Sequence, residues 1–228
     1  MRFRRLAQAY LPDRPVWAFD LRGHGASGWD PPWNLGAFLD DVRETLDAES
    51  MGPADLVGFS FGGRLSLELA AAYPDRVRRL ALLDPAIQIE PDVAATFAEN
   101  SRQDVSFATV EEAVDARMGI LAHSSRAQVE EDVVPSLVRG DDQRWRHPVR
   151  LAAVVAAYGE MARPPGLPSE HPTLLVRAAD GIVDDRQQAL LEAALGGRLT
   201  VVDVPGSHSV MWDALARTGA AVATHLGG

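Results

Sequence analysis

Short apolar runs alternate with amphipathic segments at both ends of this chain. The apolar runs span residues 16–19, 54–59, 77–83, 174–177 and 199–204. Segments with apolar residues at helical spacing cover residues 2–10, 35–48, 61–73 and 186–195 and the C-terminal end. Buried runs joined by helices are typical of parallel strands linked by right-handed crossovers. The pattern therefore predicts an α/β domain with a mostly parallel sheet flanked by helices.

This alternation stops in the middle of the chain, between residues 86 and 170. Helical spacing predicts four helices there, over residues 91–101, 110–122, 126–139 and 149–161. We expect an all-helical insertion at residues 86–170 and a core formed by residues 1–85 and 171–228. The insertion contains His123, Trp145, His147 and Tyr158. No periodicity directs these four side chains towards a site, so we interpret them as packing or surface residues.

Composition excludes several classes of function. The chain has 228 residues, a net charge of −10 and no cysteine. Because no stretch concentrates basic residues, binding to nucleic-acid phosphates is not expected, and disulfides, thiolate metal sites and a cysteine nucleophile are excluded. The basic start lacks the apolar core of a signal peptide, and no apolar run is long enough to span a bilayer. We expect a cytoplasmic protein with no nucleic-acid partner and no membrane partner.

The stretch Gly58-Phe59-Ser60-Phe61-Gly62-Gly63 carries the candidate chemistry. It follows an apolar run and precedes an amphipathic segment, so it reads as a sharp turn from a strand into a helix. Such a turn strains the serine backbone and places its hydroxyl at the helix N-terminus, where N–H groups favour negative charge. An ordinary glycine-rich turn is the plain alternative. A phosphate-binding loop would need Gly-Lys-Ser/Thr, but Gly-Arg-Leu follows.

Two stretches resemble the α/β-hydrolase family. Gly-x-Ser-x-Gly between a strand and a helix is that family's nucleophile elbow. The run Asp-Leu-Arg-Gly-His-Gly-Ala-Ser at residues 20–27 is similar to a segment that in the family mainly braces loops, so we interpret His24 as structural. The resemblance covers the chain except for a missing start. It implies that residues 86–170 form a cap over the serine, the alternative being a packing subdomain with no role in specificity.

The resemblance also implies a catalytic triad of Ser60, Asp180 and His208. Asp180 comes just past a strand end and matches the position of the family's acid, while Asp84 is the rival carboxylate at the end of the preceding strand. His208 lies in a Gly-Ser-His-Ser loop after the last run, third in the order Ser, Asp, His. His208 would take the proton of Ser60, Asp180 would orient the imidazole, and the Phe61 N–H would bind the oxyanion. No metal or organic cofactor is required.

Hydrolysis of a small-molecule carboxylic ester is the reaction that we favour. A serine nucleophile speaks against the haloalkane dehalogenase and epoxide hydrolase chemistries, which use aspartate in this family. Hydrolysis of carbon–carbon, amide or lactone bonds and perhydrolysis stay open. The competing interpretation is a catalytically impaired or non-catalytic relative that binds a small ligand or a partner protein.

The start of the chain departs from the family pattern. Members begin with further strands and a His-Gly loop that supplies a second oxyanion N–H, and no such His-Gly occurs before residue 17. The chain could be truncated, the 16–19 strand could pair directly with the 54–59 strand, or a homo-oligomer or second chain could complete the sheet. We favour truncation. Loss of one oxyanion donor costs about a hundred- to a thousand-fold in kcat, so we expect impaired activity.

Overall fold

A computed structural model describes residues 3–121, 124–168 and 170–227. Within these residues, four parallel strands form one sheet: β1 (Ala54–Phe59), β2 (Val77–Leu83), β5 (Thr173–Asp180) and β6 (Leu199–Ser207), in the order β1-β2-β5-β6. The helices of this core are α1 (Arg4–Tyr10), α2 (Leu35–Ala48), α3 (Phe61–Ala72), α8 (Asp185–Leu195), α9 (Val210–Asp213) and α10 (Leu215–Leu226). The predicted α/β class is confirmed.

Alternating side chains of the central strands fill two hydrophobic clusters, one on each face of the sheet. In β2, Leu80 and Leu82 point to the cluster that includes residues of α2, α3 and α8, whereas Ala81 and Leu83 point to the cluster that includes residues of α1, α9 and α10. All four side chains are fully buried. This two-residue alternation is the normal geometry of a strand covered on both faces.

Residues 86–170 are mostly helical. They contain α4 (Pro91–Asn100), α5 (Val110–Met118), α6 (Arg126–Val133) and α7 (Leu151–Met161). The prediction of an all-helical segment is wrong in one respect, because β3 (Val138–Arg139) and β4 (Trp145–Arg146) form a short antiparallel pair. The helix predicted over residues 126–139 is therefore too long: α6 ends at Val133, and the end of the predicted helix belongs to this hairpin, in which Gly140 and two aspartates make the turn. His123 lies outside the described residues.

The two halves of this segment pack differently. Phe97 of α4 stacks on Tyr158 of α7 with ring centroids 5.6 Å apart. Val114 of α5 and Val129 of α6 instead belong to the same hydrophobic cluster as the sheet residue Leu83. The half formed by α5 and α6 (the α5–α6 half) is therefore part of the main core, whereas α4 and α7 pack against each other and form the second half (the α4–α7 half).

The predicted strand at residues 16–19 is wrong. These residues form no strand, and Val16, Trp17 and Phe19 are 47%, 58% and 38% exposed. A strand exists only when its N–H and C=O groups pair with a neighbour, and within the described residues β1 pairs with β2 alone. Direct pairing of residues 16–19 with β1 is thereby excluded for this structure. The free edge also explains why β1 is only partly buried instead of being covered on both faces.

The turn at residues 20–27 braces the start of α7. The Gly25 N–H donates to the Pro148 carbonyl at 2.8 Å, and the Arg150 N–H donates to the Gly23 carbonyl at 2.7 Å. A Cβ atom on Gly23 would lie 2.6 Å from the Ala153 side chain, so only glycine permits this close approach.

No described helix is long and apolar enough to cross a membrane.

Candidate active site

Ser60 occupies a strained turn between β1 and α3. Its backbone has φ 54° and ψ −120°, a conformation that non-glycine residues rarely adopt. A Cβ atom on Gly58 would lie 2.6 Å from Ser66 Oγ and 2.7 Å from the Gly62 carbonyl carbon, and one on Gly63 would lie 2.5 Å from Pro85 Cβ. These two glycines are required by close packing. Gly62, in contrast, has open space at its Cβ position.

The elbow is anchored to the end of the neighbouring strand. The Ser60 N–H donates to the Leu83 carbonyl at 3.2 Å, and the Ser60 carbonyl accepts from the Ala86 N–H at 3.0 Å. Asp84 directly after β2, like Ser60 directly after β1, has a positive φ (41°). Both residues lie where the chain turns out of the sheet. The backbone of the serine and that of Asp84 are therefore held together across β1 and β2.

His208 lies on the loop after β6, which Asp213 holds in place. Asp213 Oδ2 accepts from the Ser207 N–H at 2.8 Å and from the Ser207 hydroxyl at 2.6 Å. Gly206 has φ 95° and faces the Asp213 side chain, so the turn requires glycine there. His208 itself has a side chain that is 32% exposed.

The carboxylate that contacts His208 is Asp84. His208 Nδ1 and Asp84 Oδ2 are 2.6 Å apart, and the Asp84 side chain is fully buried. The Ile182 N–H donates to Asp84 Oδ2 at 3.0 Å and the Ala178 N–H donates to Oδ1 at 3.3 Å. A carboxylate removed from water must have such donors, because an unpaired buried charge is costly. Three donors thus surround Asp84.

Asp180, the acid that we favoured from the sequence, is not brought to the imidazole. It ends β5 with its Cα opposite Ser207, and it is exposed, whereas the Nδ1 atom of His208 faces Asp84. Both aspartates end neighbouring parallel strands at the same sheet edge, so each satisfies the expected position along the chain. The bend after β2 turns Asp84 inwards, beneath residues 178–182, whereas β5 continues to Asp180, four residues beyond the partner of Leu83.

Ser60 and His208 lie on adjacent parts of this edge without a hydrogen bond between them in the described residues. The Phe59 ring, which directly precedes Ser60, stacks on the His208 imidazole with centroids 4.7 Å apart and an interplanar angle of 30°. Phe59 also contacts Trp212 edge-on at 6.1 Å. Catalytic hydrogen bonds are often long in unliganded sites and tighten when substrate binds. The stacking holds the imidazole beside the elbow.

Phe61, the predicted oxyanion donor, is the first residue of α3. The first N–H groups of a helix have no intrahelical acceptor, so the Phe61 N–H is free to bind an anion. Its ring contacts the fully buried Phe38 edge-on at 5.3 Å. No group of three or more described His, Asp or Glu side chains is arranged to hold a metal ion.

A serine on a strained strand-to-helix turn near a histidine–carboxylate pair is typical of the α/β-hydrolase fold. The sequence pattern of the alpha/beta hydrolase fold matches residues 2–215, and the chain belongs to that family. The family prediction is confirmed.

Relatives and solved structures support the same class. The chain is 34% identical to lipase LipV of Mycobacterium tuberculosis over 232 residues, covering 98% of this chain and 87% of LipV. It is 36% identical to esterase YbfF of Escherichia coli over 81 residues, which are 36% of this chain and 32% of YbfF. The crystal structure of E-2-(acetamidomethylene)succinate hydrolase superposes with a TM-score of 0.81 at 22% identity, over 92% of this chain and 80% of that one, which shows a shared fold. At this level the prediction of a hydrolase acting on esters is confirmed.

Sequence reasoning missed two residues that shape the site. Gly181 follows Asp180, and a Cβ atom on it would lie 2.6 Å from Asp84 Oδ2, so this glycine makes room for the buried carboxylate. Arg64 is fully buried one helical turn after Ser60. The sequence held a signal for Arg64, because it is an arginine within the apolar face of α3, four residues before a glutamate.

Proposed function

We propose that this protein is a serine esterase in which Ser60 is the nucleophile, His208 the general base and Asp84 the acid of the triad. The observation that carries the proposal is the 2.6 Å contact between His208 Nδ1 and the buried Asp84 carboxylate, at the sheet edge where Ser60 forms the elbow. In this assignment Asp84 replaces Asp180, because of these two described aspartates it is Asp84 that contacts the imidazole.

The reaction follows from these positions. Ser60 Oγ attacks the ester carbonyl carbon while His208 Nε2 takes its proton, and the Phe61 N–H stabilises the oxyanion of the tetrahedral intermediate. When the intermediate collapses, the C–O bond to the alcohol breaks and His208 returns the proton to the leaving alkoxide oxygen. Water then attacks the acyl-enzyme carbonyl carbon and loses a proton to His208. The bond to Ser60 Oγ breaks, His208 returns this proton to Ser60 Oγ, and the carboxylic acid is released. Asp84 keeps the Nδ1–H tautomer and stabilises the imidazolium.

We further propose that residues 86–170 act as a cap that shapes the substrate pocket. Their position in the chain, between β2 and β5, supports this, because the segment leaves the sheet at the carboxyl end of β2, directly after Asp84. The α4–α7 half is the better candidate for substrate contact, since the α5–α6 half contributes to the main core.

Fluorophosphonate labelling read by intact mass tests the nucleophile. One adduct on the native protein that disappears in Ser60→Ala is expected, together with hydrolysis of p-nitrophenyl esters. No adduct on folded protein would refute the proposal and favour a non-catalytic, ligand-binding relative.

A matched pair of variants tests the acid. Asp84→Asn should lower kcat by roughly 10⁴-fold, because an amide cannot enforce the required imidazole tautomer. Asp180→Asn, an equivalent change at the end of the next strand, should leave kcat within about twofold, as for most exposed substitutions. The opposite ranking would return the role to Asp180.

A further inference from the structure

One buried charge on the nucleophile helix has no part in the chemistry described so far. Arg64 is fully buried, whereas arginine is almost never buried unless its charge is paired. Its Nε donates to Glu68 Oε1 at 2.8 Å, one turn further along α3. Glu68 is itself 13% exposed, so both charges are largely removed from water. Removing such a pair of charges from water costs free energy unless further hydrogen bonds compensate.

The remaining Arg64 donors bind the backbone at both ends of residues 86–170. Nη1 donates to the Ile87 carbonyl at 2.8 Å and to the Arg163 carbonyl at 2.9 Å, and Nη2 donates to the Pro164 carbonyl at 3.0 Å. Ile87 lies in the outgoing segment, residues 84–90, which leaves β2. Arg163 and Pro164 lie in the return segment, residues 162–167, which follows α7.

Glu68 binds the same return segment from the other side. Its Oε1 accepts from the Gly166 N–H at 2.8 Å, and a Cβ atom on Gly166 would lie 2.5 Å from Glu68 Oε2 and 3.4 Å from the Ala71 side chain. The outgoing segment is also joined to the end of α7, directly before the return segment, since the Ile89 N–H donates to the Met161 carbonyl at 2.9 Å. The two segments therefore sit on α3 as one unit.

These contacts satisfy a specific need of the fold. Both segments are irregular where they cross α3, so their carbonyls lack the partners that a helix or sheet provides. Arginine is the one side chain whose planar guanidinium carries five N–H donors in a fixed geometry, and four of these donors are used here. Lysine has a single charged nitrogen and could not reach three carbonyls and a carboxylate in this arrangement.

We propose that Arg64 and Glu68 are positioning residues that hold the α4–α7 half of residues 86–170 in register with the nucleophile. The Arg64 N–H donates to the Ser60 carbonyl at 3.2 Å, so the residue that holds both segments is one hydrogen bond from the strained serine. Loosening the pair shifts the segment relative to Ser60 and weakens binding of substrates long enough to reach it. This inference rests on the proposed esterase function and extends it to the control of substrate length.

Glu68→Gln and Gly166→Ala test the proposal with small changes of volume. Glu68→Gln keeps the oxygen acceptor and removes the charge, while Gly166→Ala pushes the return segment away from Glu68. Arg126→Ala is the matched control, because Arg126 forms exposed ion pairs within residues 86–170 and none with α3. The readouts are steady-state kinetics on p-nitrophenyl acetate and p-nitrophenyl octanoate and hydrogen exchange of the two segments.

Both variants should raise KM for the octanoate by about tenfold, equivalent to about 1.4 kcal/mol of binding. The kcat for the acetate should stay within about threefold, and residues 84–90 and 162–167 should exchange faster than in the control. A merely structural pair would instead lower activity on both esters in parallel, in step with the folded fraction, and that result overturns the proposal. Unchanged exchange in both segments overturns it too. If the native protein fails to hydrolyse either ester, the proposed function fails, while the exchange result still decides whether the pair holds the segments.

Discussion

Replacing Gly181 by alanine should disable the site through a single methyl group. The added Cβ would lie 2.6 Å from Asp84 Oδ2 and 2.8 Å from Asp84 Cγ, with Oδ1 closer still, whereas ordinary van der Waals contact begins at 3.4 Å. The carboxylate must therefore move by about 0.8 Å or more, since the contact is too short for any real Cβ atom. Gly181 has no positive φ, so alanine itself fits the local backbone.

The direction of that movement determines the result. The Ala178 N–H near the end of β5 and the Ile182 N–H flank position 181, so a carboxylate pushed away from the new methyl group also leaves both donors. Their present lengths of 3.3 and 3.0 Å would grow beyond hydrogen-bond range. Asp84 then loses the two hydrogen bonds that hold its carboxylate, and His208 loses the partner that orients its ring.

Misplacement of a catalytic group by about 1 Å costs about 10²-fold in rate, or about 2.7 kcal/mol of activation free energy. We therefore expect kcat on p-nitrophenyl acetate to fall by about 10²-fold, less than for Asp84→Asn. Overpacking should also lower the free energy of unfolding by about 1–3 kcal/mol. Kinetics should be measured well below the melting temperature, so that the folded fraction stays near one.

Gly197→Ala is the control, because its Cβ would meet no heavy atom within 4 Å and its φ is not positive. If Gly181→Ala keeps at least half of the native kcat and labels with fluorophosphonate at the native rate, the reasoning fails. In that case either the carboxylate has room that the structure does not show, or Asp84 is not the acid.

Two further predictions concern the histidine loop and the C-terminal helix. Asp213→Ala removes the acceptor of both Ser207 donors and should lower kcat by roughly 10- to 100-fold, because His208 is displaced. Asp203→Ala, an exposed change on β6, is the control and should leave kcat unchanged. Equal kinetic parameters for the two variants would contradict this prediction. Burial lowers the pKa of His225 below its ordinary 6.5. The unfolded chain therefore binds a proton that the folded chain resists, so the free energy of unfolding should fall as the pH drops below about 6.5. Chemical denaturation at several pH values should show this dependence weakened in His225→Gln, and an unchanged dependence would contradict it.

Much of the fold was predictable because local patterns dictate it. The bounds of α2, β1 and β2 agree with the sequence pattern, since alternating apolar runs and helical spacing report directly which faces are buried. The strained serine followed from glycines at close-packed positions, and the loop that holds His208 followed from the last apolar run. These features depend on neighbours along the chain.

Tertiary structure alone decided the rest. Asp84 and Asp180 end adjacent strands and look alike in sequence, and only the packing of residues 178–182 around a buried carboxylate distinguishes them. Residues 16–19 are apolar enough for a strand but pair with no strand of the part of the chain that the structure describes. The role of Arg64 depends on carbonyls 23, 99 and 100 residues away along the chain. The sequence by itself determined which elements form and which residues could react, because both depend on local chemistry. Which side chains meet is a matter of long-range contacts, and no local pattern reports them.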